Sequence, residues 1–463
     1  MSENQADAGR PARGEKSEPK SPLPTTAPEP PVGRQRSFWV LIGFACILGI
    51  LGGAFSLVFM AFLNFGESWY QYSSPGWMGG HWWWVAVTAA GGLIVGLLRG
   101  LTRLPEKTPG LIGDIQDAYI DPRVVPGILL VSTASLIGGA SVGPEKALGS
   151  FGGGIGQWMS AKRGLDDEGR GVTTLSGMAG AFGGLFSSPV IVVMLIVEVA
   201  RSGGARLTKV LATTIVSSSI SFGIYFAIAG TIFLDIYEVP TYQYENWQLL
   251  AGVGMGLLAA VLSTLLGVIV TGSAKVFQKL RVPALIKPII GGALFGVMGV
   301  VLPLTMLTGS NQLEVVLKDG SALGLGLVVV LAIAKMITMG VSFGSGFIGG
   351  PIFPSLFIGG SAGVALNLAI PSLPLGLTFT CMLAAVVGGF VSAPFAMVLF
   401  AAFTTQLGAL NTTPVLVAVI TSFLAVEAVK SLLFGRRRNA AVTQAANAQP
   451  PADPSGTTPP TKP

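Results

Sequence analysis

Two apolar stretches of this chain are each interrupted by a short segment rich in glycine and proline. The first interruption is Gly138–Pro144 (Gly-Gly-Ala-Ser-Val-Gly-Pro), and the second is Gly349–Pro354 (Gly-Gly-Pro-Ile-Phe-Pro). At membrane depth, irregular backbone is tolerated only where protein buries it or where it lines a cavity. A helix that begins at such a proline directs unpaired N–H groups and the positive end of its dipole at the break, which suits an anion. A proline kink explains one break alone, but two breaks at matching places predict an ion site between two half-chains.

The composition excludes an ordinary soluble domain. Only 11% of the 463 residues are charged and 51% are hydrophobic, whereas charged residues make up about a quarter of a soluble domain. Four apolar runs have about the length of 20 residues that a membrane span needs: 38–63, 82–98, 207–229 and 249–270. Shorter pieces that open with Pro or Gly predict half-crossing or tilted helices at 110–119, 144–159, 189–200, 354–369 and 394–403. The sequence therefore predicts an all-α polytopic membrane protein.

Lysine and arginine mark the loops that we expect on the cytoplasmic side. They lie before the first span, after the second span and in several later loops: Arg34, Arg36, Arg99, Arg103, Lys107, Lys162, Arg163, Arg170, Arg201, Arg206, Lys209, Lys275, Lys279, Arg281, Lys287 and 436–438. The loops 65–81 and 230–246 contain neither residue type, so we expect them outside. This pattern predicts an integral protein of the plasma (inner) membrane with both termini in the cytoplasm. The same bias explains the net charge of +6, so nucleic acid is not an expected partner.

Two sequence matches at nearly one offset indicate an internal repeat. Gly183–Pro189 (Gly-Gly-Leu-Phe-Ser-Ser-Pro) aligns with Gly388–Pro394 (Gly-Gly-Phe-Val-Ser-Ala-Pro), and 144–149 aligns with 354–359. Repeats of inverted topology are common among transporters. We therefore predict a first membrane repeat over 37–235, an outer linker over 236–247 and a second repeat over 248–435. The polar segments 1–36 and 436–463 are predicted to be disordered cytoplasmic tails.

These motifs resemble those of the CLC family of chloride channels and proton-coupled chloride exchangers, over residues 38–435. The family's Gly-x-Glu-Gly-Pro segment matches 140–144 (Ala-Ser-Val-Gly-Pro). Its Gly-x-Phe-x-Pro segment is similar to 350–354, with the Phe displaced by one position, and its Gly-Ser-Gly-Ile-Pro segment is faintly echoed at 109–113. The resemblance implies a CLC-like inverted repeat without the CBS-domain pair of some members. It also implies transport of chloride or another small monovalent anion by a homodimer with one pore per subunit.

Two departures from the family pattern bear on mechanism. Family exchangers carry a glutamate at the centre of the Gly-x-Glu-Gly-Pro segment, where it competes with chloride and carries a proton, but this chain has Val142 there. They also use an inner glutamate after the proline of a later half-helix, and counting from Pro189 that position is Val199. Because valine cannot ionise, the resemblance implies passive, channel-type conduction.

Two carboxylates nearby are candidates for restoring proton coupling. Glu145 follows Pro144 directly, and Glu198 lies one position before Val199. Each also has a simpler explanation. Glu145 suits the first turn of a helix or pairing with Lys146, and Glu198 suits a paired or solvated group at the inner mouth.

The predicted anion site is built mainly from backbone. Its members come from the motifs above: Gly110, Ser141, Val142, Gly143, Pro144, Gly350, Ile352, Phe353 and Pro354. The expected donors are the amides of residues 142, 143, 352 and 353, because Pro351 has no N–H. The resemblance implies that a serine hydroxyl and a late tyrosine hydroxyl help to bind chloride. In this chain the serine position falls near Gly110 and all tyrosines precede residue 245, so Ser141 and Thr108 are the candidate hydroxyls. Weak binding by backbone dipoles favours conduction over tight capture.

Other functions stay open at this point. One is exchange of chloride or fluoride for protons with Glu145 as the gate, and another is a non-transporting membrane protein that acts through its Pro-rich tails. An enzyme has the least support, because the sequence contains no metal-ligand cluster, no nucleophile paired with a base and no phosphate-binding loop. The single His81 adjoins three tryptophans, as in an interfacial aromatic belt. We therefore predict no enzymatic activity, no metal and no cofactor.

Overall fold

A computed structural model describes residues 36–71, 81–105, 108–200, 203–231 and 236–447. These residues form fifteen α-helices: α1 Arg36–Gln71, α2 Trp83–Leu101, α3 Leu111–Asp117, α4 Val125–Ile137, α5 Glu145–Lys162, α6 Asp167–Leu185, α7 Pro189–Ala200, α8 Gly204–Ala229, α9 Trp247–Lys279, α10 Ile286–Val301, α11 Ser310–Ser345, α12 Ile352–Ala369, α13 Leu375–Val391, α14 Pro394–Thr404 and α15 Ala409–Asn447. A short 3₁₀ turn, Pro303–Thr305, precedes α11. Within α11 the backbone breaks at Gly324, whose φ is 78°.

The predicted all-helical membrane fold is confirmed. Seven of the described helices are long and apolar enough to cross a membrane, and the four predicted long spans match α1, α2, α8 and α9, with the second starting one residue before α2. The five predicted shorter pieces correspond to α3, α5, α7, α12 and α14. Proline opens α7 and α14 because the first helical turn has no intrahelical partner for its N–H groups.

The internal repeat is visible in the backbone as well as in the sequence. Ser187, between α6 and α7, has a φ of 53°, and its sequence match Ser392, between α13 and α14, has a φ of 62°. A left-handed conformation is uncommon for a residue other than glycine. Its recurrence at matched positions shows that both half-chains make the same sharp turn before a proline-started helix.

Glycine lets the helices of each repeat pack in backbone contact. A Cβ on Gly152 of α5 or on Gly177 of α6 would lie 2.0 Å from the carbonyl oxygen of the other residue. In the second repeat, a Cβ on Gly359 of α12 would lie 2.5 Å from the Met382 carbonyl oxygen of α13. Small residues at such crossings are typical of membrane helix packing. The half-helices that start at the two breaks are therefore held close to the core of their own repeat.

The predicted domain boundaries stay predictions. Residues 236–246 connect α8 to α9 without a helix, where the linker 236–247 is predicted. The helix α15 continues to Asn447, past the predicted start of the C-terminal tail at residue 436. Most of the predicted N-terminal tail, 1–35, and residues 448–463 lie outside the described residues.

Candidate functional site

The two glycine-proline breaks meet each other in the interior of the protein. The N–H of Gly143 donates to the carbonyl oxygen of Gly350, and the N–H of Gly350 donates to the carbonyl oxygen of Gly143, both at 2.7 Å. The helix α5 begins two residues after Gly143, and α12 begins two residues after Gly350. The positive ends of two helix dipoles therefore come together at one antiparallel bridge, as the pair of breaks predicts.

The side chain of Glu145 occupies this junction. Glu145 is completely buried, and its Oε1 accepts the N–H of Phe353, at the start of α12, at 3.1 Å. The amide groups of Ile352 and of Glu145 itself also face the carboxylate. Its Oε2 has no partner with hydrogen-bonding geometry among the described residues. The carboxylate therefore binds where the sequence predicts that an anion binds.

Glycine is required on both sides of this carboxylate. A Cβ on Gly143 would lie 2.0 Å from Oε2 of Glu145, and a Cβ on Gly350 would lie 1.8 Å from the same atom. Neither distance is compatible with van der Waals contact. The two glycines of the bridge thus form the walls of a space that holds one carboxylate.

Aromatic rings from both repeats surround the junction. Phe353 stacks on Phe186, with ring centroids 6.1 Å apart and planes 12° apart. Phe186 also makes edge contacts with Phe182 of α6, at 5.8 Å, and with Phe400 of α14, at 6.1 Å. All four rings are buried. Apolar walls keep water away, so a charge at the junction depends on the amides that face it.

Fewer hydrogen-bond donors face the predicted anion site than the sequence predicts. The N–H of Val142 donates to the Ala140 carbonyl at 3.0 Å, and that of Gly143 is used in the bridge. The N–H of Ser141 donates to Oγ of Ser342 at 3.1 Å, whereas Oγ of Ser141 itself is buried and has no partner among the described residues. The amides of Ile352 and Phe353 face the Glu145 carboxylate, and the Ser141 hydroxyl is the further buried donor that the first break contributes.

The valine positions differ from Glu145 in what they contact. The buried side chain of Val142 packs against Gly349, where an added Cβ would lie 2.4 Å from the valine Cβ. Val199 is buried near the end of α7. The adjacent Glu198 accepts the N–H of Phe395 at 2.8 Å and of Ala396 at 2.9 Å, so both its oxygens bind the first turn of α14.

A cavity of about 990 Å³ leads to the breaks from one side. It reaches Ile348 and Gly349, directly before the bridge, and Gly110 and Thr108 also line it. Its lining includes four cationic side chains and, within the described part of the chain, no carboxylate; the cations are Arg99, Arg103, Lys146 and Lys287. A cavity with one sign of charge attracts counter-ions, here anions.

The structure corrects the suggested pairing of Glu145 with Lys146. Lys146 instead forms a buried ion pair with Asp114 of α3, and Asp114 Oδ2 accepts from Lys146 Nζ. The side chain of Lys146 is 3% exposed and that of Asp114 is 7% exposed. The side chains of these consecutive residues of α5 therefore point in different directions. That of Glu145 points to the bridge, and that of Lys146 points to α3 and the cavity. Asp114 carries no motif in the sequence, so only the packing of α3 on α5 reveals it.

Breaking this pair on one side should destabilise the protein strongly. We expect the Asp114→Asn variant to lose about 3 kcal/mol of stability, because removing one partner leaves a buried ammonium without its counter-charge. The double variant Asp114→Asn/Lys146→Met should recover most of the loss. Detergent-solubilised protein unfolded by a chemical denaturant gives the comparison.

The matched control for that experiment is Glu314→Gln. Glu314 pairs with Lys318 at 2.7 Å on the surface of α11, with both side chains more than a third exposed. Exposed pairs contribute about 0 to 1 kcal/mol. An Asp114→Asn variant no less stable than Glu314→Gln would contradict a structural role for the buried pair.

Known proteins share both the sequence pattern and the fold. The family model described as voltage gated chloride channel matches residues 104–427. A candidate ion-transport protein of Salmonella paratyphi A, YfeO, is 25% identical over 361 residues, which cover 72% of this chain and 82% of YfeO.

Two solved structures extend the likeness to the architecture. A slow cyanobacterial Cl⁻/H⁺ antiporter superposes with a TM-score of 0.72 at 20% identity, over 87% of this chain and 98% of the antiporter. A CLC-type fluoride/proton antiporter superposes with a TM-score of 0.69 at 18% identity, over 83% of this chain and 95% of that protein. The family match covers well over half of the chain. The chain therefore belongs to the voltage-gated chloride channel family, the CLC family that its two broken segments resemble.

Proposed function

We propose that this protein conducts chloride or a related small monovalent anion passively across the membrane, and that protonation of Glu145 opens the path. The buried carboxylate at the bridge carries the proposal. An ionised carboxylate there fills the space between Gly143 and Gly350 and repels an anion, since like charges interact strongly where water is excluded. A neutral carboxyl group removes the repulsion and is released from the amide of Phe353.

The side chains near the C-terminal end of α7 favour passive conduction. A coupled exchanger needs a titratable group that passes protons between the gate and the cytoplasm. Val199 cannot ionise, and both oxygens of Glu198 are engaged by the first turn of α14. Neither residue therefore offers a free proton carrier on that route.

A proton-coupled chloride or fluoride exchanger is the second candidate, and a specific contact favours it. The Asp114–Lys146 pair lies next to Glu145 along α5, and Lys146 lines the cationic cavity. A buried ion pair at that place is a second route by which protons could reach the gate.

The charges that line the cavity support an orientation of the protein in the membrane. Arg99, Arg103 and Lys287 line the cavity, and Lys and Arg are enriched in cytoplasmic loops, so a cytoplasmic opening of this cavity is part of the proposal. We propose that both termini lie in the cytoplasm and that the protein resides in the plasma membrane. Following the family resemblance, we propose a homodimer in which each subunit contains a complete pathway.

Anion flux from liposomes tests the two transport proposals together. Purified protein is reconstituted, a chloride gradient runs down under a potassium clamp, and internal pH is recorded. We expect chloride efflux without proton movement, and faster efflux at lower pH. Proton movement locked to chloride would favour the exchanger. No flux of chloride or fluoride at any pH would contradict both candidates and favour a non-transporting protein that acts through its tails.

A further inference from the structure

A lysine is completely buried in the apolar middle of α11. Lys335 has no exposed surface, and its Nζ donates to three consecutive backbone carbonyls, those of Thr305 at 3.0 Å, Met306 at 3.1 Å and Leu307 at 2.8 Å. An ammonium group has three N–H donors, which matches the three carbonyls. The Phe357 ring of α12 lies 5.3 Å from the same atom, measured to its centroid. An ionisable residue at membrane depth points to function by default.

The three carbonyls belong to the segment between α10 and α11, here named the 305–307 segment. This segment packs on the first break. The N–H of Leu307 donates to the Gly139 carbonyl at 3.4 Å, and the methyl group of Met306 would lie 3.1 Å from a Cβ on Gly139. Leu307 has a φ of 58°, a conformation that costs energy for a leucine and needs support from its surroundings.

Two further side chains on the same face of α11 bind the same elements. Thr338 Oγ1 donates to the Thr305 carbonyl at 3.4 Å, and Ser342 Oγ accepts the N–H of Ser141 at 3.1 Å. The spacing of Lys335, Thr338 and Ser342 by three and four residues aligns them along one helix face. This buried polar face of α11 therefore contacts the first break at two places, through the 305–307 segment and directly.

We propose that the Lys335 ammonium is a positioning residue of the anion pathway, a tethered monovalent cation that fixes the 305–307 segment and through it the first break. The proposal rests on the proposed function, because the break so held places Gly143 against Gly350 and Glu145 in the junction. Without the ammonium, the carbonyls of Met306 and Leu307 lose this donor, and the Thr305 carbonyl keeps only the 3.4 Å contact with the Thr338 hydroxyl. Carbonyl groups gathered in this way bind small cations.

The test removes the lysine side chain and supplies a small ammonium ion in solution instead. In the Lys335→Ala variant, anion flux should fall about tenfold or more and the half-saturating anion concentration should rise, because misplacing a site by about 1 Å can cost a hundredfold in rate. Ethylammonium has the N–H donors and nearly the length of the missing atoms, so it should restore flux and raise the melting temperature of the variant. Tetramethylammonium has no N–H donor and should do neither.

A milder pair of variants covers the case in which Lys335→Ala does not fold. Thr338→Val removes a hydroxyl that is shared between the Lys335 carbonyl of its own helix, at 3.0 Å, and the Thr305 carbonyl, at 3.4 Å, and should lower flux several-fold. Thr380→Val is the control, because Thr380 is equally buried but, among the described residues, its hydroxyl bonds within its own helix, to the carbonyls of Gly376 and Leu377.

The outcomes separate this inference from the proposed function. Wild-type flux in Lys335→Ala, equal effects of the two ammonium ions, or equal flux in the two threonine variants would overturn the positioning role. If the wild type itself moves no anion, the conduction proposal fails. In that case the melting temperature of the Lys335→Ala variant tests the positioning role. A rise with ethylammonium but not with tetramethylammonium supports this role, and no rise with ethylammonium overturns it.

Discussion

The Glu145→Gln variant is expected to conduct anions about tenfold faster than the wild type at neutral pH, and its flux should no longer depend on pH. A tenfold change corresponds to about 1.4 kcal/mol of barrier, which is modest for removing a like charge from a water-poor site. In the wild type, protonation of Glu145 neutralises the carboxylate, so flux should increase as the pH falls. Glutamine mimics the protonated form at every pH. Anion efflux from liposomes at several symmetrical pH values provides the measurement.

Two control variants test whether the pH response comes from the Glu145 carboxylate. Lys146 and Asp114 are the charged pair next to the gate on α5 and α3, so the double variant Asp114→Asn/Lys146→Met is measured in parallel. Glu314→Gln controls for removing a surface carboxylate far along the chain. A pH response that is kept in both controls and lost in Glu145→Gln supports the gate. An unchanged pH response in Glu145→Gln would rule it out.

Much of the fold can be predicted from the positions of proline and glycine in the sequence. Proline and glycine mark helix starts within a few residues, so the half-helices α7 and α14 begin where the sequence predicts. The repeat was also readable, because the turn before each of these helices needs small residues at the same spacing. Even the left-handed Ser187 and Ser392 occupy matched positions in the two sequence motifs.

The side chains of the site were harder to predict, because their partners are distant in sequence. Glu145 binds an amide 208 residues away and Lys146 binds a carboxylate 32 residues away, and no periodicity encodes such pairs. One general rule did point to Glu145. Side chains lean toward the N-terminus of their helix, so a glutamate at the first position of α5 points back at the break. Similarly, a lysine within the apolar run of α11 signals Lys335, but its carbonyl partners depend on how the 305–307 segment folds.

The Gly350→Ala variant should lose most of its anion flux, about tenfold or more, together with its pH response. The new methyl group would lie 1.8 Å from Oε2 and 2.9 Å from Cβ of Glu145, so the carboxylate cannot keep its place. The methyl group and the displaced Glu145 side chain then narrow the junction through which an anion must pass. Contacting residues are expected to couple by about 0.5 to 3 kcal/mol in a double-mutant cycle.

That coupling separates a steric conflict with Glu145 from general damage to the fold. In a Glu145→Ala background the methyl group at residue 350 has room, so adding Gly350→Ala should change flux less than it does in the wild type. Gly254→Ala on α9 is the control, because an added Cβ there meets nothing within 4 Å. Flux is measured in liposomes for all four members of the cycle at one pH. Equal losses in both backgrounds would mean that Gly350 acts independently of the carboxylate, and the junction would then not be the place where Glu145 controls the anion.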